Sequence, residues 1–347
     1  MPMSAFDRGR LTIVACESGK VFAERVSAAL GRITLKESGM PFRGLADASE
    51  IFFSNGEVKT MINESVRGDD VYIIQCVDDP TSDRSINDNL MALFTALDAA
   101  KQADADRITA VVPQFPYSRQ ERKKGREGVT ARQIAHFLEG SGATRVISLD
   151  IHADAIGGFF NDAILDDLHA STDLIEAFRQ RVLKGAPANS VTVVSPDVGS
   201  AEKARYYSRA LGCDMAIGDK ERDYSQPNTV VTMRLVGEVK GKDVLLVDDI
   251  IDTGGSIVEA MATCKRQGAK DIYLAVTHPF LTGKAIPRLN AAYEEGMFKR
   301  MFGTDAVTRS LEWQAEHPWY SEVTVAPLFA KVIYNINRKR SVSSLLS

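Results

Sequence analysis

Short, almost wholly apolar runs recur along this chain, and the segments between them carry helical spacing. LTIVAC (11–16), DVYIIQC (70–76), RITAVVP (107–113) and RVISLD (145–150) predict strands in the first half. SVTVV (190–194), VLLV (244–247) and IYLAVT (272–277) predict strands in the second. A strand that is apolar at every position, without polar alternation, is covered on both faces. That is the condition of a parallel sheet sandwiched between helices.

The intervening segments supply those helices. Val21, Phe22, Val26 and Leu30 fall near one face of 20–30, and Leu90, Leu93, Phe94 and Leu97 near one face of 87–101. Residues 130–138, 172–182, 199–211 and 256–267 read as further helices. The 347 residues exceed one ordinary domain and suit two. The expected fold is α/β: two tandem domains, each a mainly parallel sheet flanked by helices, joined near 160–170.

Composition bounds the function. Hydrophobic residues make up 44% and charged residues 25%, enough for two cores, and the net charge of −4 asks for no nucleic-acid backbone and no anionic membrane. Cys16, Cys76, Cys213 and Cys264 are scattered, without zinc spacing, and read as buried thiols of a reducing compartment. The first ten residues lack an apolar signal core, and no apolar run reaches the roughly 18 residues of a membrane span. A soluble cytoplasmic protein is expected.

In open parallel sheets ligands bind beyond the carboxyl ends of the strands. The segment VLLVDDIIDTGGSI (244–257) is the sharpest such place. Its strand delivers Asp248 and Asp249, and then Asp252, Thr253, Gly254, Gly255 and Ser256 lead into a helix. Glycines let the backbone approach a ligand, the hydroxyls donate, and the new helix presents its free N–H groups. No GxxxxGK[ST] occurs, so this is not the nucleotide P-loop. Two carboxylates beside a phosphate would repel it. They make sense at sugar hydroxyls or at a magnesium ion bound to the sugar, which points to a ribose phosphate. A plain capped strand–turn–helix is the competing reading.

The first half offers a second constellation. In FSNGE (53–57), Phe53 can stack on adenine while Asn55 and Glu57 read its polar edge. Arg119, Gln120 and Glu121 open a dense polar run after RITAVVP, and the Arg119 fork matches phosphate geometry. His152 follows RVISLD within range of a phosphate or magnesium site. Singly, FSNGE also reads as a turn, the basic run as a solvated face, and His152 as a hydrogen-bonded surface residue.

The segment VDDIIDTGG resembles the phosphoribosyl-diphosphate motif of the type I phosphoribosyltransferase fold. FSNGE, VRGDDVYIIQ, NDNLMAL, RITAVVPQFPYSRQERK, SLDIHADAIGGFF, VVSPDVGSAEKAR, DKERD and VDDIIDTGG occur in this order. From about residue 11 to 345 the chain resembles the ribose-phosphate diphosphokinases, the phosphoribosyl-diphosphate synthetases. The resemblance implies a first domain over 9–165, completed by a C-terminal helix at about 323–340, and a second over 166–322. It implies that Phe53, Asn55, Glu57, Arg119, Gln120 and Glu121 line an ATP site, and that His152 and Asp197 act around magnesium and the phosphates. Lys220 and Arg222, in GDKERDYSQP, would be catalytic residues on a mobile loop. Asp252, Thr253, Gly254, Gly255 and Ser256 would hold ribose 5-phosphate, with Asp248 and Asp249 at the ribose hydroxyls. Without the family, Lys220 and Arg222 read as a charged hairpin tip.

The implied reaction moves the β,γ-diphosphate of ATP to the 1-hydroxyl of ribose 5-phosphate, giving phosphoribosyl diphosphate and AMP with Mg2+ as cofactor. Its product feeds nucleotide, histidine and tryptophan synthesis. A homo-oligomer, hexameric or its dimer building block, and phosphate or ADP as effectors are implied as well. The chain departs from the family pattern at Glu121, where Asp is usual, and at 76–87, which is longer and more acidic. It also departs at 290–322, where AAYEEGMFKRMFG reads as an added helical segment and LEWQAEHPWY as an aromatic-rich piece. A phosphoribosyltransferase would leave FSNGE, SRQER and DKERD without work. A non-catalytic regulatory paralogue would be expected to lose loop charges or glycines that are present here.

Overall fold

The computed structural model describes residues 8–123, 125–185, 187–221 and 232–345. They form two compact units. The first comprises Met1–His169, Asp305–Thr308 and Thr324–Ser347, and the second Ala170–Thr304 and Arg309–Val323.

The first unit is built on a five-stranded parallel sheet of β1 (Leu11–Ala15), β4 (Asp70–Ile74), β5 (Arg107–Val111), β6 (Arg145–Leu149) and β7 (Ile164–Leu168), in that spatial order. Every position of β4 and β6 is buried, as a sheet covered on both faces requires. An antiparallel hairpin of β2 (Ala48–Phe52) and β3 (Val58–Ile62) stands apart from that sheet. Its helices are α1 (Lys20–Ser38), α2 (Ile86–Gln102), α3 (Thr130–Gly140) and, from the far end of the chain, α9 (Ala326–Asn337).

Local chemistry sets several boundaries. Helix α1 runs past the expected residue 30 and stops at Gly39, whose left-handed φ of 69° lets its N–H reach the Leu35 carbonyl at 3.0 Å. Helix α2 starts with a reciprocal cap. The Asp88 N–H donates to Ser85 Oγ at 3.2 Å, and the Ser85 N–H donates to Asp88 Oδ2 at 2.9 Å. Helix α9 joins the first unit by apolar packing, its Phe329 ring meeting Phe22 of α1 edge to face at 5.2 Å.

The second unit holds a seven-stranded sheet in the order β10 (Thr232–Val236), β9 (Asp214–Glu221), β8 (Val191–Ser195), β11 (Asp243–Ile251), β12 (Ile272–Pro279), β13 (Arg300–Thr304) and β14 (Tyr320–Val323). All its pairings are parallel except β9 with β10. Helices α4 (Ser171–Phe178), α5 (Ala201–Leu211), α6 (Gly255–Arg266), α7 (Ala285–Glu294) and α8 (Leu311–Glu316) complete it. Among the described residues no helix is long and apolar enough to cross a membrane.

Two expectations need correction. AAYEEGMFKRMFG is not one helical segment, because α7 ends at Glu294 and Arg300–Thr304 is strand β13. Pairing with β12 and β14 buries Met301 and Phe302, and that tertiary gain overrides local helical spacing. The strand expected to stop at Val247 continues through Asp248, Asp249, Ile250 and Ile251, paired with β12 as far as Pro279.

Candidate active site

Sheet topology marks one place in the second unit. From β8 the chain crosses through α5 to β9 on one side, whereas from β11 it crosses through α6 to β12 on the other. The crevice beyond the carboxyl ends of β8 and β11 is therefore a switch point, where open α/β sheets bind ligands. Asp197 follows β8, and Asp248, Asp249 and the 252–256 loop lie at the end of β11.

Three carboxylates interact there. Ser200 Oγ donates to Asp248 Oδ1 at 3.2 Å, and the Ser200 N–H donates to Asp197 Oδ1 at 3.1 Å. One serine thus ties the acidic ends of two neighbouring strands together. Burial pushes the Asp248 carboxyl well above the usual carboxylate range, repulsion from Asp249 and then Asp197 adds to it, and Lys203 opposes it. A cationic or hydroxyl-rich ligand relieves that strain.

The loop itself is anion-ready. Gly254 caps α6 at φ 76°, and a Cβ there would stand 3.4 Å from the Ala285 Cα. The left-handed backbone selects glycine, while the Cβ itself would only touch α7. Thr253, Gly255 and Ser256 are exposed, so two hydroxyls and the first N–H groups of α6 face outward. The loop is braced from behind. The Thr282 N–H donates to the Asp252 carbonyl at 2.9 Å, and Thr282 Oγ1 bonds the Asp252 carboxylate. Arg288 Nη1 donates to the Thr253 carbonyl at 2.8 Å.

In the first unit, FSNGE forms the tip of the β2–β3 hairpin. The Phe53 N–H donates to the Glu57 carbonyl at 2.8 Å, and the Glu57 N–H to Asn55 Oδ1 at 3.1 Å. The turn reading and the ligand reading are compatible, because this turn leaves Phe53 47% exposed with Asn55 and Glu57 beside it in the tip. Arg119 and Gln120 lie in a tight turn after β5, set by Tyr117 in the left-handed region at φ 56°. Thr130 Oγ1, at the start of α3, donates to Gln120 Oε1 at 2.6 Å, and Glu121 pairs with Arg122 at 3.3 Å. His152 is exposed just beyond β6, and the preceding Ile151 N–H is held by the Asp167 carboxylate at 3.1 Å.

The two halves of the chain match known family models. A family model of the N-terminal domain of ribose phosphate pyrophosphokinase matches residues 11–142, and one of the phosphoribosyl transferase domain matches 161–302. The ribose-phosphate pyrophosphokinase of Chlorobaculum tepidum is 39% identical over 339 residues, covering 96% of this chain and 94% of that protein. The chain belongs to the ribose-phosphate pyrophosphokinase family.

The Bacillus subtilis ribose-phosphate pyrophosphokinase is also 39% identical, over 304 residues, covering 87% of this chain and 90% of that one. The crystal structure of phosphoribosylpyrophosphate synthetase from Mycobacterium smegmatis superposes with a TM-score of 0.80 at 32% identity, covering 95% of this chain and 99% of that one. The α/β fold and the pyrophosphokinase activity expected from the sequence are those of this family.

Within that family frame, the expected site residues divide between the units. Asp197, Asp248, Asp249 and the 252–256 loop come together in the second, and Phe53, Asn55, Glu57, Arg119, Gln120, Glu121 and His152 belong to the first. Lys220 is the next-to-last residue of β9, its backbone opposite Met233. Arg222 lies outside the described residues. Sequence reading missed Ser200, Thr282 and Arg288. Ser200 had a signal, since it follows Asp197 within SPDVGS. Thr282 and Arg288 had none, because only the fold brings them to the loop.

Proposed function

We propose that the 252–256 loop binds the 5-phosphate of ribose 5-phosphate, that Asp248 and Asp249 hold its ribose hydroxyls, and that Phe53, Asn55, Glu57, Arg119, Gln120 and Glu121 bind ATP. The observation that carries this reading is the switch-point crevice of the second unit. It has exposed hydroxyls and helix N–H groups on one side and a carboxylate pair on the other. A ligand with an anionic end and a polyol end matches both.

The chemistry is an in-line displacement. O1 of ribose 5-phosphate bonds to the β-phosphorus of ATP, the bond to the α,β-bridging oxygen breaks, AMP leaves and the hydroxyl proton is lost. Such a transfer asks the protein mainly for positioning and charge neutralisation. Lys220 and Arg222 are assigned to the charge that develops on the transferring group. The hydroxyls of Thr253 and Ser256 and the N–H groups of α6 hold the phosphate while the Asp248–Asp249 pair orients the sugar.

Mg2+ suits the donor chemistry, which is oxygen-rich with one imidazole. Among the described residues no cluster of three or more His, Cys, Asp or Glu is placed to hold a metal by protein groups alone. His152 in the first unit and Asp197 in the second are each proposed as magnesium-binding residues on the family resemblance, and the ion would offset phosphate charge. A cytoplasmic homo-oligomer with phosphate or ADP as effectors is part of the same reading and rests on the family resemblance.

The test is release of AMP from ATP by the purified protein, dependent on both ribose 5-phosphate and Mg2+. A transferase would instead consume phosphoribosyl diphosphate, and a regulatory paralogue would do neither. Lys220→Ala is expected to lower turnover by orders of magnitude while ribose 5-phosphate binding is kept. Parental turnover in that variant would overturn the catalytic assignment of Lys220.

A further inference from the structure

We infer that Arg288 is a positioning residue for the 5-phosphate of the sugar substrate, acting through the Thr253 carbonyl. The inference rests on the ribose 5-phosphate reading of the 252–256 loop and adds a residue that the loop motif does not contain.

Arg288 lies on α7, more than thirty residues after the loop. Its Nη1 donates to the Thr253 carbonyl at 2.8 Å, the hydrogen bond its side chain makes among the described residues. The same nitrogen would stand 3.6 Å from a Cβ on Gly255, so the guanidinium lies against the first turn of α6. The side chain is otherwise exposed.

A phosphate cradle works when backbone N–H groups converge and the carbonyls between them point away. In this loop two carbonyls precede the helix cap at Gly254, those of Asp252 and Thr253, and each is held by a donor. The Thr282 N–H takes the first and Arg288 the second. Thr282 is a backbone anchor that any residue except proline could supply. Arg288 is a side-chain anchor, so mutation reaches it. Without that bond the Thr253 carbonyl is released to rotate toward the cradle, where its negative end opposes phosphate. The fork also leaves further N–H donors and a full positive charge next to the site. Loss of the side chain therefore weakens the sugar phosphate and leaves the nucleotide, whose assigned residues are elsewhere, unaffected.

The experiment is steady-state kinetics on the intact enzyme, varying ribose 5-phosphate and ATP separately, for Arg288→Ala, Arg288→Gln and Arg288→Lys. Thr253→Val serves as the reference for the loop. Arg288→Ala is expected to raise KM for ribose 5-phosphate about tenfold or more, with KM for ATP unchanged and a melting temperature near the parent's. Arg288→Gln keeps a donor without the charge, and Arg288→Lys keeps a charged donor without the fork. Both should recover part of the loss. If Arg288→Ala raises both KM values together, or leaves both at the parental value while Thr253→Val weakens ribose 5-phosphate, Arg288 has no positioning part. If Thr253→Val itself leaves KM for ribose 5-phosphate unchanged, the loop reading fails and the inference falls with it.

Discussion

Nδ2 of Asn337, the last residue of α9, donates to Oδ2 of Asp70, the first residue of β4, across 3.1 Å and 267 positions of sequence. The same amide donates to the Gly9 carbonyl at 3.2 Å, and the Tyr72 hydroxyl donates to the same Asp70 oxygen at 3.0 Å. One end of the chain is thereby stitched to the other inside the first unit, around a carboxyl that is fully buried.

That closure should dominate the stability of the first unit. Phe329 is fully buried against Phe22. Phe329→Ala should destabilise the unit by about 3–5 kcal/mol, the usual cost of deleting a core aromatic. Calorimetry checks it: the variant should show a low-temperature transition absent from the parent.

Asp70 gives a pH dependence. Burial raises its carboxyl above the ordinary value, against the lowering effect of the bonds from Asn337 and Tyr72. The folded state then holds the proton more tightly than the unfolded chain does, so ionisation costs stability. The loss begins as pH rises past the unfolded value of about 3.9 and is complete above the raised folded value. Asp70→Asn keeps an acceptor for Tyr72 and Asn337 and removes the charge. Its stability curve should be flatter than the parent's across that window. Denaturant titrations at several pH values would show it, and parallel curves for the two proteins would contradict it.

Gly254→Val should damage the loop selectively. A β-branched residue at φ 76° is strained by about 1–2 kcal/mol. Taken out of ligand binding, that strain corresponds to a loss of about 5–30-fold. The effect should appear in KM for ribose 5-phosphate with little change in KM for ATP.

Phe53→Ala should do the converse. Aromatic stacking on a base contributes about 1–3 kcal/mol, and the Phe53 ring is exposed at the hairpin tip. KM for ATP should rise about 5–150-fold, with KM for ribose 5-phosphate near the parental value. Equal KM values for ATP in variant and parent would remove Phe53 from the nucleotide site.

The chain's own pattern carried the buried parallel strands and their helices, because full burial on both faces leaves a one-dimensional mark. β4 and β6 are examples. Two other strands left no such mark. β13 was hidden in a segment with helical spacing, and β7, exposed at Ile164, carries carboxylates at 166 and 167. The Asp252–Ser256 loop was legible because its chemistry is contiguous. Its braces were not, since Thr282 and Arg288 come from the next crossover.

Residue order alone determined the fold class, the family and the glycine-containing loop at 252–256, all of which depend on neighbours within a few positions. The tertiary structure decided what long-range pairing controls. It carried β11 on through Asp248 and Asp249, set Ser200 between Asp197 and Asp248, and brought α9 back to α1. Hydrogen bonds and buried surface act between residues close in space, and the spacing of letters along a chain does not record which distant segments will meet.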